Sequence, residues 1–133
     1  MIGFTVIFIP GEEAPVIEQR TRDPSLAFLQ RTVGGYIEAI PHFSTISSKG
    51  VTVPCIAYCN EEGKLKGLPT NWVATMVWHD ALKRIEREDG TRMFPRGLLD
   101  EDGVARDVLT GPIIVVAGDR EFLRRHCEGE EVG

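Results

Sequence analysis

The stretch "VTVPCIAYCNEEGKLKGLPTN", residues 51–71, decides how the chain is organised. In an extended backbone Val53, Cys55, Ala57 and Cys59 fall on one side and Ile56 and Tyr58 on the other, so both faces are apolar. That is the pattern of a strand covered on both sides, well inside a sheet. Pro54 has no N–H to give to a ladder, which puts it at the start of the strand or at a bulge. "NEEG" then supplies Asn60 for the first and Gly63 for the fourth position of a type I turn with a glycine bulge, where the backbone angle φ is positive. Glu61 and Glu62 become tip residues facing water. "LLDEDGVARDVLTGP" repeats the pattern, with Asp100 in the place of Asn60 and Gly103 in the place of Gly63. Two hairpin signals favour antiparallel pairing over a βαβ repeat.

Working outward from this strand, "GFTVIFIP" alternates Phe4, Val6 and Phe8 against Thr5, Ile7 and Ile9 and reads as a first strand ended by Pro10 and Gly11. "APVIEQR" reads as a short second strand. In "RDPSLAFLQRTVGG", Asp23 can cap, Pro24 suits the first helical position, and Leu26, Leu29 and Val33 share a face. Gly34 offers the left-handed stop. "YIEAIPHF" is a strand with Tyr36, Glu38 and Ile40 on alternate positions, and "STISSKG" is a polar loop. "TNWVATMVWHDALKRIERED" carries Ala74, Val77, Trp78, Ala81, Leu82 and Ile85 at helical spacing, with Thr70 or Asn71 to cap it. "GPIIVVAGDREFLRRHC" gives a buried strand, a turn at Gly118 and a short helix capped by Asp119. The expected fold is therefore a single α+β domain over residues 1–127. It has a mostly antiparallel sheet of five or six strands, two main helices and a short C-terminal helix, and the acidic residues 128–133 form a flexible tail.

The 133 residues suit one core, and a domain of this size needs neither metal nor disulfide for stability. Three cysteines, Cys55, Cys59 and Cys127, lack CxxC spacing, which argues against a zinc site. Cys55 and Cys59 would lie about 13 Å apart on one strand, beyond the reach of a disulfide. A reducing cytoplasm is the expected location, without metal or cofactor. The opening "MIGFTVIFIPGEE" has no basic leader and is too short to span a bilayer, so no membrane role is expected. The net charge of −5 opposes loose binding to nucleic acid, which needs a basic face that releases counterions.

No nucleophile elbow, P-loop, dinucleotide fingerprint or HExxH occurs. The acidic loops lack the EF-hand's ligand spacing. His79 and Asp80 are neighbours on a helix and point about 100° apart, so they cannot form an orienting pair. At "VVAGDREF", Asp119 would itself occupy the helix start and repel an anion. The glycine pair Gly34–Gly35 ahead of Tyr36 leaves room for close backbone approach, although Gly34 already serves as a helix stop.

Three segments together, "VGGYIEAI", "CNEEGKLKGLPTN" and "DVLTGPIIVVAGD", resemble the family catalogued as domain of unknown function 3846. The matching positions are Val33 to Glu38, Cys59 to Leu65, Gly67 to Pro69, Asn71, and Gly111 with Pro112. The resemblance implies small proteins encoded by bacteriophages and conjugative elements, and it brings no reaction, cofactor or catalytic residue. Trp72 to Leu98 is longer than the corresponding family segment, so its helix is an elaboration for a partner or an oligomer contact, with Trp72 and Trp78 as candidates, or else ordinary core.

Turn chemistry accounts for Asn60 to Gly63 but leaves Leu68 and Asn71 over. If a small polar or nucleotide-like ligand binds, Tyr36 and Glu38 should converge on it with Thr70 and Asn71 from the "GLPTN" loop. The rival reading has Asn71 or Thr70 capping the next helix and Tyr36 packed in the core. The leading function is non-catalytic binding of a host protein or a small signalling molecule. The alternative is a small hydrolase or transferase using Glu38, His79 or Tyr58, which requires a base within hydrogen-bond reach of one of them in a concave pocket.

Overall fold

The computed structural model describes residues 3–48, 50–89 and 108–128. Along these the chain forms β1 (Gly3–Phe8), β2 (Val16–Arg20), α1 (Leu26–Val33), β3 (Ile37–Ala39), β4 (Thr45–Ser48), β5 (Val51–Asn60), α2 (Trp72–Asp89), β6 (Ile113–Gly118) and α3 (Arg120–Cys127). The strands form one six-stranded sheet in the order β2-β1-β6-β5-β3, with β4 also pairing to β5. Every described pairing is antiparallel. The architecture is α+β, as the strand patterns indicate.

Two apolar layers sandwich the sheet. On one face Ala74, Trp78 and Leu82 of α2 pack on Val6, Phe8, Cys55, Ala57, Ile113, Val115 and Ala117. On the other, Leu29 and Val33 of α1 and Phe122 of α3 pack on Ile114 and Val116. The strand buried on both faces along its whole length is β6. In β5 burial is confined to the half that faces β6, and Val51, Thr52 and Pro54 are exposed.

Pro54 is neither at the start of β5 nor at a bulge. Its neighbour Cys55 donates its N–H to Ser44, on the β4 side. Backbone groups alternate sides along a strand, so the proline nitrogen faces the β6 side, just past the last pair, Cys55 with Ala117. The missing donor therefore falls where no partner strand waits.

Three local expectations are corrected. "STISSKG" is not a loop: Thr45–Ser48 pairs with Val51–Pro54. Polar side chains gave no alternating signal there, and the hairpin turns over through Gly50 at φ 81°. "NEEG" does not open a hairpin either, because β5 is followed by a turn and then α2. Gly63 is absent from the positive-φ glycines, whereas Gly67 has φ 68°. Gly63 is glycine for space, since a Cβ there would sit 2.6 Å from Thr110 Oγ1. The second expected hairpin, around Asp100–Gly103, lies outside the described residues.

The third correction concerns α1. Ser25, not Asp23, is its N-cap, and Ser25 Oγ accepts the Phe28 N–H at 3.1 Å. Leu26 is exposed while Leu29 and Val33 are buried. Gly34 closes the helix in the left-handed conformation at φ 83°. Ser25→Ala should lower stability by about 1 kcal/mol in urea denaturation, and a change near zero would show that the cap bond does not form. Asp119 caps α3 through the Phe122 N–H at 2.9 Å. Glu128, placed in the tail from sequence, is the C-cap of α3 and pairs with Arg124 at 3.1 Å. The tail from residue 129 onward lies outside the described residues. No described helix is long and apolar enough to cross a membrane.

Candidate functional site

The resemblance motifs, separate in sequence, meet at one end of the sheet. Asn60 ends β5 with its side chain buried, and Nδ2 donates to the Val33 carbonyl at the end of α1 at 3.2 Å. Its Oδ1 accepts the Glu62 N–H at 2.8 Å, starting the turn. Gly35 passes so close that a Cβ would lie 2.9 Å from Asn60 Nδ2. After the turn, Thr70 bridges to Thr110. Gly111 packs under Leu68, where a Cβ would meet the leucine Cδ1 at 2.7 Å.

Asn71 is 1% exposed. Its Nδ2 donates to the carbonyls of Phe8 and Gly111, both at 2.9 Å, and its Oδ1 accepts the Ala74 N–H at 3.2 Å in the first turn of α2. Its backbone N–H reaches Leu109 at 2.7 Å. The side chain thus caps α2 and ties β1, α2 and the lead-in to β6 together. Its donors and acceptor are engaged within the protein, which leaves nothing to present to a ligand. Of the motif glycines, Gly35, Gly63 and Gly111 serve close packing and Gly34 and Gly67 a left-handed backbone, while the asparagines tie separate backbone segments together.

What this framework leaves open is a cavity of about 180 Å³. Glu38, Glu61, Lys64 and Leu65 stand around it, and Trp78 lines it from α2. The indole of Trp78 is buried and donates Nε1–H to the Pro41 carbonyl at 2.9 Å. Of the sequence-derived candidates, Glu38 and Trp78 line the cavity. Tyr36, 70% exposed, lies beside it, with its carbonyl accepting the Glu61 N–H at 2.8 Å. Thr70 and Asn71 are not among the lining residues, and Trp72 is exposed at the start of α2. Leu65, 87% exposed, was not among the candidates. It stands out only once the turn is seen to present an apolar side chain at the cavity rim.

The other face of the sheet carries a set that sequence reasoning missed. Tyr58 Oη and His126 Nε2 lie 2.6 Å apart, and His126 Nδ1 is hydrogen-bonded to Asp23 Oδ1. These residues come from β5, α3 and the lead-in to α1. Burial pushes the Tyr58 hydroxyl up to about 12, with the Cys127 thiol and the Asp23 carboxyl adding to the effect. Tyr58 therefore stays neutral. Among the three alternative catalytic residues, Tyr58 has an imidazole within reach and a hollow beside it. Cys55 is deeply buried, donates weakly to the Phe43 carbonyl at 3.6 Å, and has its thiol pushed up to about 12 by desolvation. Such a thiol is inert. A hollow of about 360 Å³ on the α2 side is lined by apolar side chains apart from Ser47 and brings no ionisable group into play.

Neither the curated proteins nor the solved structures compared with the chain include a match. A family model does match, over residues 4–124, taking in Asp23 and Tyr58 but not His126. The chain, with its buried asparagines and closely packed glycines, belongs to the family described as Domain of unknown function (DUF3846).

Proposed function

We propose that this chain is a non-catalytic binding protein, a small accessory protein of a bacteriophage or conjugative element that acts in the host cytoplasm by engaging a host protein. The observation that carries this reading is the size and rim of the cavity framed by the signature turn. At about 180 Å³ it is smaller than the roughly 300–1,000 Å³ of typical small-molecule sites. That space suits one inserted side chain better than a whole nucleotide. Leu65 is exposed at its rim, Glu38 and Lys64 add charges of opposite sign, and exposed Tyr36 is tied to the lining residue Glu61 through its carbonyl. An apolar and aromatic rim around a pocket that receives an anchor residue is the usual arrangement of a protein-binding hot spot.

The test pairs capture with a rim variant. The immobilised chain is incubated with lysate of the bacterial host, the retained protein is identified, and its affinity is measured for wild type and Leu65→Asp. Leu65 makes little contact with the fold, so the variant should melt within about 0.5 kcal/mol of wild type while binding falls at least about ten-fold. A retained protein that binds both forms equally would overturn the placement of the site. Retention of a small molecule in place of a protein would overturn the partner class.

A further inference from the structure

The hollow beside Tyr58 has a size and a polarity that the proposed protein-binding role does not use. It measures about 380 Å³, within the range of small-molecule sites, and is bounded by Leu26, Leu29 and Ile37 with Tyr58 and His126 as its polar part. Asp23 and Ser25 line it as well, Asp23 engaged with His126 and Ser25 with the first turn of α1. The hydrogen-bond directions follow from valence. An ionised carboxylate only accepts, so the Asp23 contact assigns the proton of a neutral imidazole to Nδ1 and leaves Nε2 as an acceptor. Tyr58 must then donate its O–H to Nε2. Its oxygen keeps two lone pairs, and no described donor is bonded to them. The site therefore presents an oriented acceptor beside apolar walls.

We infer that this hollow binds a small apolar molecule carrying one hydroxyl group, whose O–H donates to Tyr58 Oη while its body packs on Leu26, Leu29 and Ile37. The chain from Asp23 through His126 is a positioning device: it fixes the tyrosine O–H away from the hollow. Apolar molecules without a hydroxyl gain only the wall contacts. At Tyr58 Oη carbonyl compounds, which offer acceptors alone, meet lone pair with lone pair. The raised titration point of Tyr58 keeps the phenol protonated, so that it can donate to a neutral His126.

The test uses p-cresol and toluene, which share a ring and a methyl group and differ by the hydroxyl. Both are titrated into the full chain at about pH 8, above the ordinary imidazole range, with methyl resonances of Leu29 and Ile37 followed by NMR. p-Cresol should bind about ten-fold tighter than toluene, the ratio expected for one added hydrogen bond, and should shift those methyls. Tyr58→Phe keeps the ring and removes the phenol oxygen, so it should reduce the preference, with His126 Nε2 left as the remaining acceptor, while toluene affinity stays unchanged. A purely structural Tyr58 would lower the melting point without touching the ratio. Equal affinities in wild type, no binding of either probe at millimolar concentration, or shifts confined to other methyls would each overturn the assignment.

Discussion

Asn71→Ala should destabilise the protein by about 3 kcal/mol, well beyond the ~1 kcal/mol of a lost helix cap. The truncation removes the cap bond to Ala74 and also strips the Phe8 and Gly111 carbonyls of their Asn71 donor, in a place where the side chain is 1% exposed. Unsatisfied buried groups cost about 1–3 kcal/mol each, so the partners left behind weigh more than the cap. In a domain of this size the melting point should fall by about 10 °C. Asn71→Asp sharpens the test, because it keeps the cap acceptor and turns the donor end into an oxygen facing two carbonyl oxygens. It should be at least as damaging as alanine. A loss near 1 kcal/mol for alanine, with aspartate tolerated, would mean that capping is the whole of this residue's work.

The other large effect is expected at Phe122. Its ring is 1% exposed and fills the layer formed by Leu29, Val33, Ile114 and Val116. It also lies over Gly3, where a Cβ would come within 2.3 Å of a ring carbon. Phe122→Ala should cost about 3–5 kcal/mol, the transfer of the ring plus the cavity it leaves. Gly3→Val attacks the same contact from the strand side and should destabilise by overpacking, in the region of 1–3 kcal/mol. Denaturant midpoints measure both. If Phe122→Ala cost under 1 kcal/mol, α3 would not be holding this layer, and amide protection in α3 should already be low in wild type.

These residues also mark how far the sequence could be read. Strands β1, β5 and β6, the body of α2 and the left-handed stop at Gly34 followed from periodicity and from single residues with steric demands. Asp23, the cap expected for α1 from sequence, gives way to Ser25 and is bonded instead to His126, 103 residues away in the chain, a partner that local reading does not reach. Asn60 and Gly63 look like hairpin residues because an asparagine-led turn needs the same types whether a strand or a helix follows. Their true partners, Val33 and Thr110, are contributed by distant segments. For the same reason Asn71 could be read from sequence as either cap or ligand residue: the carbonyls of Phe8 and Gly111 come to it only in the assembled sheet. The set of Tyr58, His126 and Asp23 was invisible, since no motif joins positions that three separate elements bring together.

The placement of β6 bears on when this chain can fold. The last strand in sequence lies between β1 and β5, and its residues fill both apolar layers. During synthesis β1, β2 and β5 exist before the strand that joins them, so the sheet cannot close until residues through Gly118 have left the ribosome. Until then, the β1 and β5 edges that will flank β6 stand open, which is the condition that invites pairing between nascent chains. A topology whose decisive contacts span most of the chain also folds slowly, on the millisecond-to-second scale of high contact-order domains. The protein is therefore expected to complete its fold only after β6 has emerged, with a dependence on holdase chaperones that a sheet assembled in sequence order would not have.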